Sequence, residues 1–224
     1  MNAQLTTHQT KSAAMKAIKP PKFRLYPEGS AAMSAVNIEL WGFLKCPQVN
    51  AIAIAEALAV VPAHHLEGLR SVHYEHSRMI AGFSRWIRLK GPGKQLGRYD
   101  RASQTITLHA AADREALFAA LFHELGHFVY FRVLSPADRK SWVIGLSAQE
   151  SSVSRYGERN AAEDFAECYS AFLMRPYAMQ QRPLKNRFMR SVVFQGAALD
   201  LDVLQQIVMR SSQDDRHKSL DQLI

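Results

Sequence analysis

The run His123-Glu124-Leu125-Gly126-His127 constrains this chain more than any other stretch. Four residues at 1.5 Å rise make about one helical turn, so both imidazoles leave one face of a helix about 6 Å apart along its axis. The flanking sequence predicts that helix. Leu117, Phe118, Leu121, Phe122, Leu125 and Phe128 keep its period, and Asp113 and Glu115 sit where acids favour a helix N-terminus. At this spacing two neutral imidazoles reach one zinc ion at about 2.0–2.1 Å. Glu124, about 100° further round, can reach a water beside the metal without ligating it, as a general base does. The same pattern also describes two histidines on a core helix, so the question turns on a third ligand.

The third ligand of an HExxHxxGxxH site would need Gly at 130 and His at 133, where this chain has Tyr130 and Val133. A helix from about Asn160 to Met174, stopped by Pro176, offers Glu163, Asp164 and Glu167 instead. Glu163 and Glu167 lie one turn apart on one face. One can bind the metal while the other accepts a hydrogen bond from a ligand imidazole. The alternative is a solvated acidic face. Phe165, Ala166, Cys168, Tyr169 and Phe172 mark the helix as largely buried, however, and unpaired acids there are costly.

The segment from Ser154 to Glu167, with Tyr156-Gly157 followed by Glu163-Asp164-Phe165-Ala166-Glu167, resembles the second active-site segment of the anthrax lethal factor-like metallopeptidases. That branch of the gluzincins pairs HExxH with a Tyr-Gly turn and a downstream Glu-x-Phe-Ala-Glu helix. The resemblance spans about residues 96–175 and is strong over the two motif segments. It implies an α+β, zincin-like catalytic domain, with a small β-sheet packed on the HExxH helix and a helical C-terminal part. By position it implies one Zn2+ per chain held by His123, His127 and Glu163, with Glu167 behind a ligand imidazole. Tyr156 matches the tyrosine that stabilises the transition state. The implied activity is endopeptidase cleavage of a protein substrate, of a secreted or injected effector type. Residues before 64 and the C-terminal helices match nothing in that family, which leaves substrate choice open.

Composition bounds the rest. A chain of 224 residues, 47% hydrophobic and 21% charged, suits one domain with a real core. Lys11, Lys16, Lys19, Lys22 and Arg24, without an acid before Glu28, carry five of the net charge of +8. Together with Pro20, Pro21 and Pro27 they predict a flexible basic arm over 1–28 and a single metallopeptidase domain over 29–224. A second acid-free stretch holds Arg175, Arg182, Lys185, Arg187 and Arg190. It reads as a solvated helix face, or as a surface that attracts an acidic substrate or nucleic acid; the alternative function is a nucleic-acid-associated protein with a structural or vestigial zinc site. Val49–Val61, interrupted by Glu56 and stopped by Pro62, is too short to span a bilayer and reads as a buried helix. No secretory signal opens the chain, so the expected location is cytoplasmic, or outside by a leaderless route. Cys46 and Cys168 form no CxxC and read as buried thiols.

The remaining elements follow from local pattern. Ser30 is placed to cap a helix through Met33, Val36, Leu40 and Leu44. Leu69–Glu75 alternates like a strand, and 78–90 is compatible with a short helix. Gly97–Asp100 and Gln104–Leu108 form a hairpin around Arg101-Ala102-Ser103, whose second strand is placed to pair with an extended substrate. Ser135, Pro136 and Asp138 start a further helix, and another covers Leu199–Met209. His64, His65, His73 and His76 lack a carboxylate at ligand spacing, whereas His109, closing the strand before the motif helix, is a candidate substrate contact.

Overall fold

The computed structural model describes residues 22–25, 36–76 and 96–211. Its architecture is α+β. Five strands, β1 (Lys22–Leu25), β2 (Val36–Trp41), β3 (Ser71–Glu75), β4 (Gly97–Asp100) and β5 (Thr105–His109), form one mixed sheet in the order β1-β2-β3-β5-β4. The β2–β3 and β3–β5 pairs are parallel, and both outer pairs are antiparallel. Leu40 lies opposite Val72, Val72 opposite Ile106, and Tyr74 opposite Leu108. These side chains, with Ile38, make the buried face of the sheet.

Two sequence expectations change here. The helix expected from Ser30 through Leu44 is strand β2 over Val36–Trp41, while 30–35 lie outside the described residues. Val36, Ile38 and Leu40 also alternate with period two, so the pattern is ambiguous until β1 and β3 offer backbone partners on either side. Gly42 ends the strand at φ 84°, where a Cβ would collide with the Tyr74 carbonyl. Second, Gln104–Leu108 is no edge strand. β5 lies between β3 and β4, so its backbone is already paired on both sides, and among the described residues β4 is the outer strand on that side. Of the arm expected over 1–28, Lys22–Leu25 is strand β1 and the rest lies outside the described residues, as does the 78–90 helix.

Helix α1 (Ala51–Ala59), capped by Asn50, is the buried helix expected between Val49 and Val61. No helix among the described residues is long and apolar enough to cross a membrane. The motif helix α2 (Arg114–Phe128) starts where Asp113 accepts the Ala116 N–H at 2.8 Å. Leu117, Phe118, Leu121, Phe122, Leu125 and Phe128 are all fully buried. Beyond α2 the backbone widens into a π-turn (Val129–Val133), followed by α3 (Pro136–Lys140), which Ser135 caps, a second π-turn (Ser141–Leu146) and α4 (Ser147–Gln149). Helix α5 (Ala161–Met174) is capped by Asn160, whose Oδ1 accepts from Ala162 and Glu163 N–H. It lies along α2. At their crossing a Cβ on Gly126 would stand 2.8 Å from Ala166 Cα and 3.0 Å from Tyr169 Cβ, so only glycine permits this approach. Helices α6 (Pro176–Gln180), α7 (Pro183–Phe188) and α8 (Leu201–Met209) complete the helical C-terminal part.

The acid-free stretch 175–190 is not a continuous solvated face. Lys185 is fully buried, with Nζ 2.9 and 2.8 Å from the two carboxylate oxygens of Asp164 and 3.2 Å from the Ser151 carbonyl. Ser147 Oγ donates to the same carboxylate, and Glu150 accepts the Leu184 and Lys185 N–H groups at the start of α7. One buried ion pair thus ties α7 and the loop after α4 to the first turn of α5. Removing a single partner of such a pair strands the other charge in the interior. Lys185→Ala is expected to lower stability by about 3–5 kcal/mol. Urea unfolding followed by far-UV circular dichroism measures it.

Candidate metal centre

Helix α2 presents His123 and His127 on the side that faces α5, and α5 presents Glu163 and Glu167 in return. His123 Nε2 and His127 Nε2 each lie 3.2 Å from Glu163 Oε2. His123 Nδ1 lies 2.8 Å from Glu167 Oε1. Glu163 Oε2 is nevertheless buried without a hydrogen-bond partner, so the two imidazole contacts are close approaches rather than aligned hydrogen bonds. Three ligand atoms from His123, His127 and Glu163 lie within 4.8 Å of one another. Tetrahedral bonds of about 2.0–2.1 Å place ligand atoms about 3.3–3.4 Å apart, close to the separations found. The orphaned carboxylate oxygen and the two-nitrogen, one-oxygen donor set therefore fit a zinc ion.

The acids and imidazoles of the cluster also shift one another's protonation. Burial pulls the His123 imidazole down, but the Glu163 and Glu167 carboxylates outweigh it and raise its pKa to about 9. For Glu163, burial pushes up while the two imidazoles hold the carboxyl well below its ordinary range. Glu167 is pulled down against its burial by His123 and by the Ser154 hydroxyl. The sign for stability follows: the raised His123 contributes fully below its reference value of 6.5 and is lost as pH rises through about 9. The depressed carboxylates contribute above their reference value of 4.5 and are lost on acidification.

Glu124 is 5% exposed, is not one of the three grouped ligands, and lies near enough to His123, His127 and Glu163 to feel their charges. Burial raises its carboxyl, against the pull of His123, His127 and a hydrogen bond donated by the Tyr99 backbone N–H on β4. It reaches that edge because Gly97 has no side chain: a Cβ there would stand 2.7 Å from Glu124 Cγ and 3.0 Å from Oε1. Tyr156 lies beside the cluster, its ring centroid 5.7 Å from that of His123, with Arg159 Cζ over the ring at 4.2 Å from the centroid. Burial, Glu163 and Glu124 raise the phenol, so it keeps its proton at neutral pH. Ser154 Oγ accepts the Gly157 N–H at 3.1 Å and also bonds Glu167, which clamps the Tyr156 turn to α5.

All six residues singled out in the sequence, His123, Glu124, His127, Tyr156, Glu163 and Glu167, thus come together. Gly97, the Tyr99 N–H, Ser154 and Arg159 were missed. Ser154 stood inside the segment that carried the family resemblance, whereas Gly97 and Tyr99 had no local signal, because their role exists only once β4 lies beside α2. His109 does not join the cluster; its Nδ1 lies 3.7 Å from Glu75 Oε2 on the sheet. His65 is buried between Tyr169 Oη and the Val193 carbonyl, both at 2.8 Å, and burial lowers its pKa to about 3, so it is a neutral core residue. Cys46 is partly buried and Cys168 buried, both free thiols.

No family profile matches the chain, and no curated protein matches its sequence. Among solved structures, the chain is similar to a protein of Bacteroides caccae described as a "putative zinc-binding metallo-peptidase". The two share 17% identity over 77% of this chain and 82% of that one, with a TM-score of 0.39.

Two outcomes are expected. At pH 7, below the His123 pKa of about 9, zinc must expel a proton from the metal-free site. Calorimetric titration in buffers of differing ionisation enthalpy should show about one proton released per zinc, and fewer as pH approaches 9. Gly97→Ala should displace Glu124 and destabilise the fold by about 1–3 kcal/mol, as overpacking does, while zinc content is unchanged. Thermal denaturation and metal analysis of one sample test both parts.

Proposed function

We propose that the chain is a zinc-dependent endopeptidase of the gluzincin type, cleaving a protein substrate. The observation that carries this reading is the convergence of His123 Nε2 and His127 Nε2 on one orphaned oxygen of Glu163, with the buried Glu124 carboxylate beside them. Three protein ligands leave one tetrahedral position open, as catalytic sites do, whereas structural zinc sites are usually closed by four. Zinc in this position supplies a Lewis acid that polarises a scissile carbonyl and makes a water nucleophilic near neutral pH.

The chain's own residues do the remainder. Glu124, raised by burial and oriented by the Tyr99 N–H, takes the water proton and returns it to the departing amine. Tyr156, protonated at neutral pH, donates its hydroxyl to the developing oxyanion, a contribution of roughly 3–4 kcal/mol in comparable sites. Glu167 holds the His123 ring from behind and sets its orientation. A substrate strand has β4 to pair with, since among the described residues that is the outer strand beside the site. The wider reading, a lethal factor-like effector that acts on a protein of another cell, rests on the Tyr156-to-Glu167 segment. The burial of Lys185 removes one cation from the stretch that favoured nucleic-acid binding.

Glu124→Gln and Tyr156→Phe separate base from oxyanion donor. Both variants should fold and keep zinc. Glu124→Gln should lose roughly 10²–10⁴-fold in kcat on a generic protein substrate, and Tyr156→Phe roughly 10²–10³-fold with little change in KM. Full activity in zinc-loaded Glu124→Gln would refute the mechanism.

A further inference from the structure

Beyond the end of the motif helix a surface groove of about 470 Å³ opens between the β4–β5 turn and helix α3. It is lined by Arg101, Tyr130, Phe131, Arg139, Lys140, Val143 and Ile144. Three features set it apart. It adjoins the metal centre, because Phe131 lies one turn beyond His127 and stacks with it, ring centroids 6.4 Å apart. Its charge has one sign: Arg101, Arg139 and Lys140 line it and no carboxylate does. The nearest acids in sequence are turned elsewhere, Asp100 accepting the Ala102 N–H and Asp138 the Ser135 hydroxyl. Its floor is apolar, with Val143 and Ile144 exposed to 45% and 63%.

The cations differ in duty. Arg139 Nη1 is spent on the Tyr130 and Leu134 carbonyls, where it closes the π-turn. Arg101 instead lies over the Phe131 ring, Cζ 4.1 Å from the centroid. Stacking holds a guanidinium in place while its edge N–H groups stay free for a carboxylate. Lys140, exposed, adds a second charge, and the Arg132 charge acts on nearby Tyr99.

We infer that this groove is a specificity subsite for a carboxylate side chain, glutamate or aspartate, of the peptide cleaved at the metal centre. The inference rests on the peptidase reading for the position of the cut. The hydrocarbon stem of the residue packs on Val143 and Ile144, and its carboxylate meets Arg101 and Lys140. Since Arg101 is two ring contacts from His127, the acidic residue lies within about three residues of the scissile bond, at ~3.4 Å per extended residue.

The test has two arms, both on the zinc-loaded full chain and on the double variant Arg101→Glu/Lys140→Glu, checked for fold by circular dichroism and for metal content. In the first, a peptide library is digested and the cut sites are read by mass spectrometry. Enrichment of Glu or Asp at one position within three residues of the cut, lost or inverted toward Lys and Arg in the variant, is expected. Cleavage without an acidic preference, or with one the variant leaves unchanged, would overturn the inference while leaving the peptidase reading intact. In the second arm, a fluorescein-labelled glutamate-containing peptide and its glutamine counterpart are titrated onto Glu124→Gln protein. The glutamate form should bind roughly five- to tenfold tighter, a margin lost in the triple variant, as for a charge-assisted hydrogen bond at a partly exposed site. Equal binding of the two peptides overturns the inference, as does their displacement by an RNA oligonucleotide that binds more tightly. An intact binding difference without any cleavage would sink the peptidase reading and spare the subsite.

Discussion

Everything at the metal centre depends on how closely α2 and α5 approach. Gly126 sits between the two histidines, and a Cβ there would fall within 2.8 Å of the Ala166 backbone. The same absence of a side chain that lets the helices touch brings the carboxylate one turn before Ala166's successor, Glu163, within 3.2 Å of both imidazoles. A wider separation would draw Glu163 away from both imidazoles and Glu167 away from His123, because both acids stand on α5. The glycine inside the motif is therefore a packing residue whose consequence is chemical.

That approach has to be held from behind. Phe165, Cys168 and Tyr169 are fully buried along α5, and the Lys185–Asp164 pair anchors it to the C-terminal helices and to the loop that leads to Tyr156. Asp164 follows Glu163 directly, so adjacent acids on one helix serve opposite sides: one turns to the imidazoles, the other to a buried lysine. A buried ion pair contributes little net stability compared with apolar packing of equal volume. What it supplies here is orientation, since Lys185 can satisfy Asp164 only with α5 in one rotation.

The sheet plays the corresponding part on the other side of α2. β4 closes the sheet against the motif helix, and its glycine and its Tyr99 N–H hold the Glu124 carboxylate in a site from which burial would otherwise expel a charge. The same strand is the outer one on that side among the described residues and ends in the turn that delivers Arg101 to the groove beside Phe131. One four-residue strand thus links the base, the edge on which a peptide can lie, and the proposed acidic-residue subsite.

Local chemistry determined much of this from the sequence alone. The spacing of His123 and His127 has meaning only on a helix, and the caps at Asn50, Asp113, Ser135 and Asn160 act within three residues of themselves, so those helices and the facing of the imidazoles were legible without a partner. The hairpin of β4 and β5 was legible for the same reason. Contacts between distant segments were not. Val36–Trp41 fits both periods, and pairing with β1 and β3 settled it; β5 looked like an edge until β3 paired with it; Lys185 looked solvated until Asp164 met it. Residue pattern left Glu163 and Glu167 interchangeable, one turn apart on one face. The rotation and depth of α5 against α2 put Glu163 between the two Nε2 atoms and Glu167 behind His123, because a ligand position is a distance between two helices and periodicity along one helix contains no such distance.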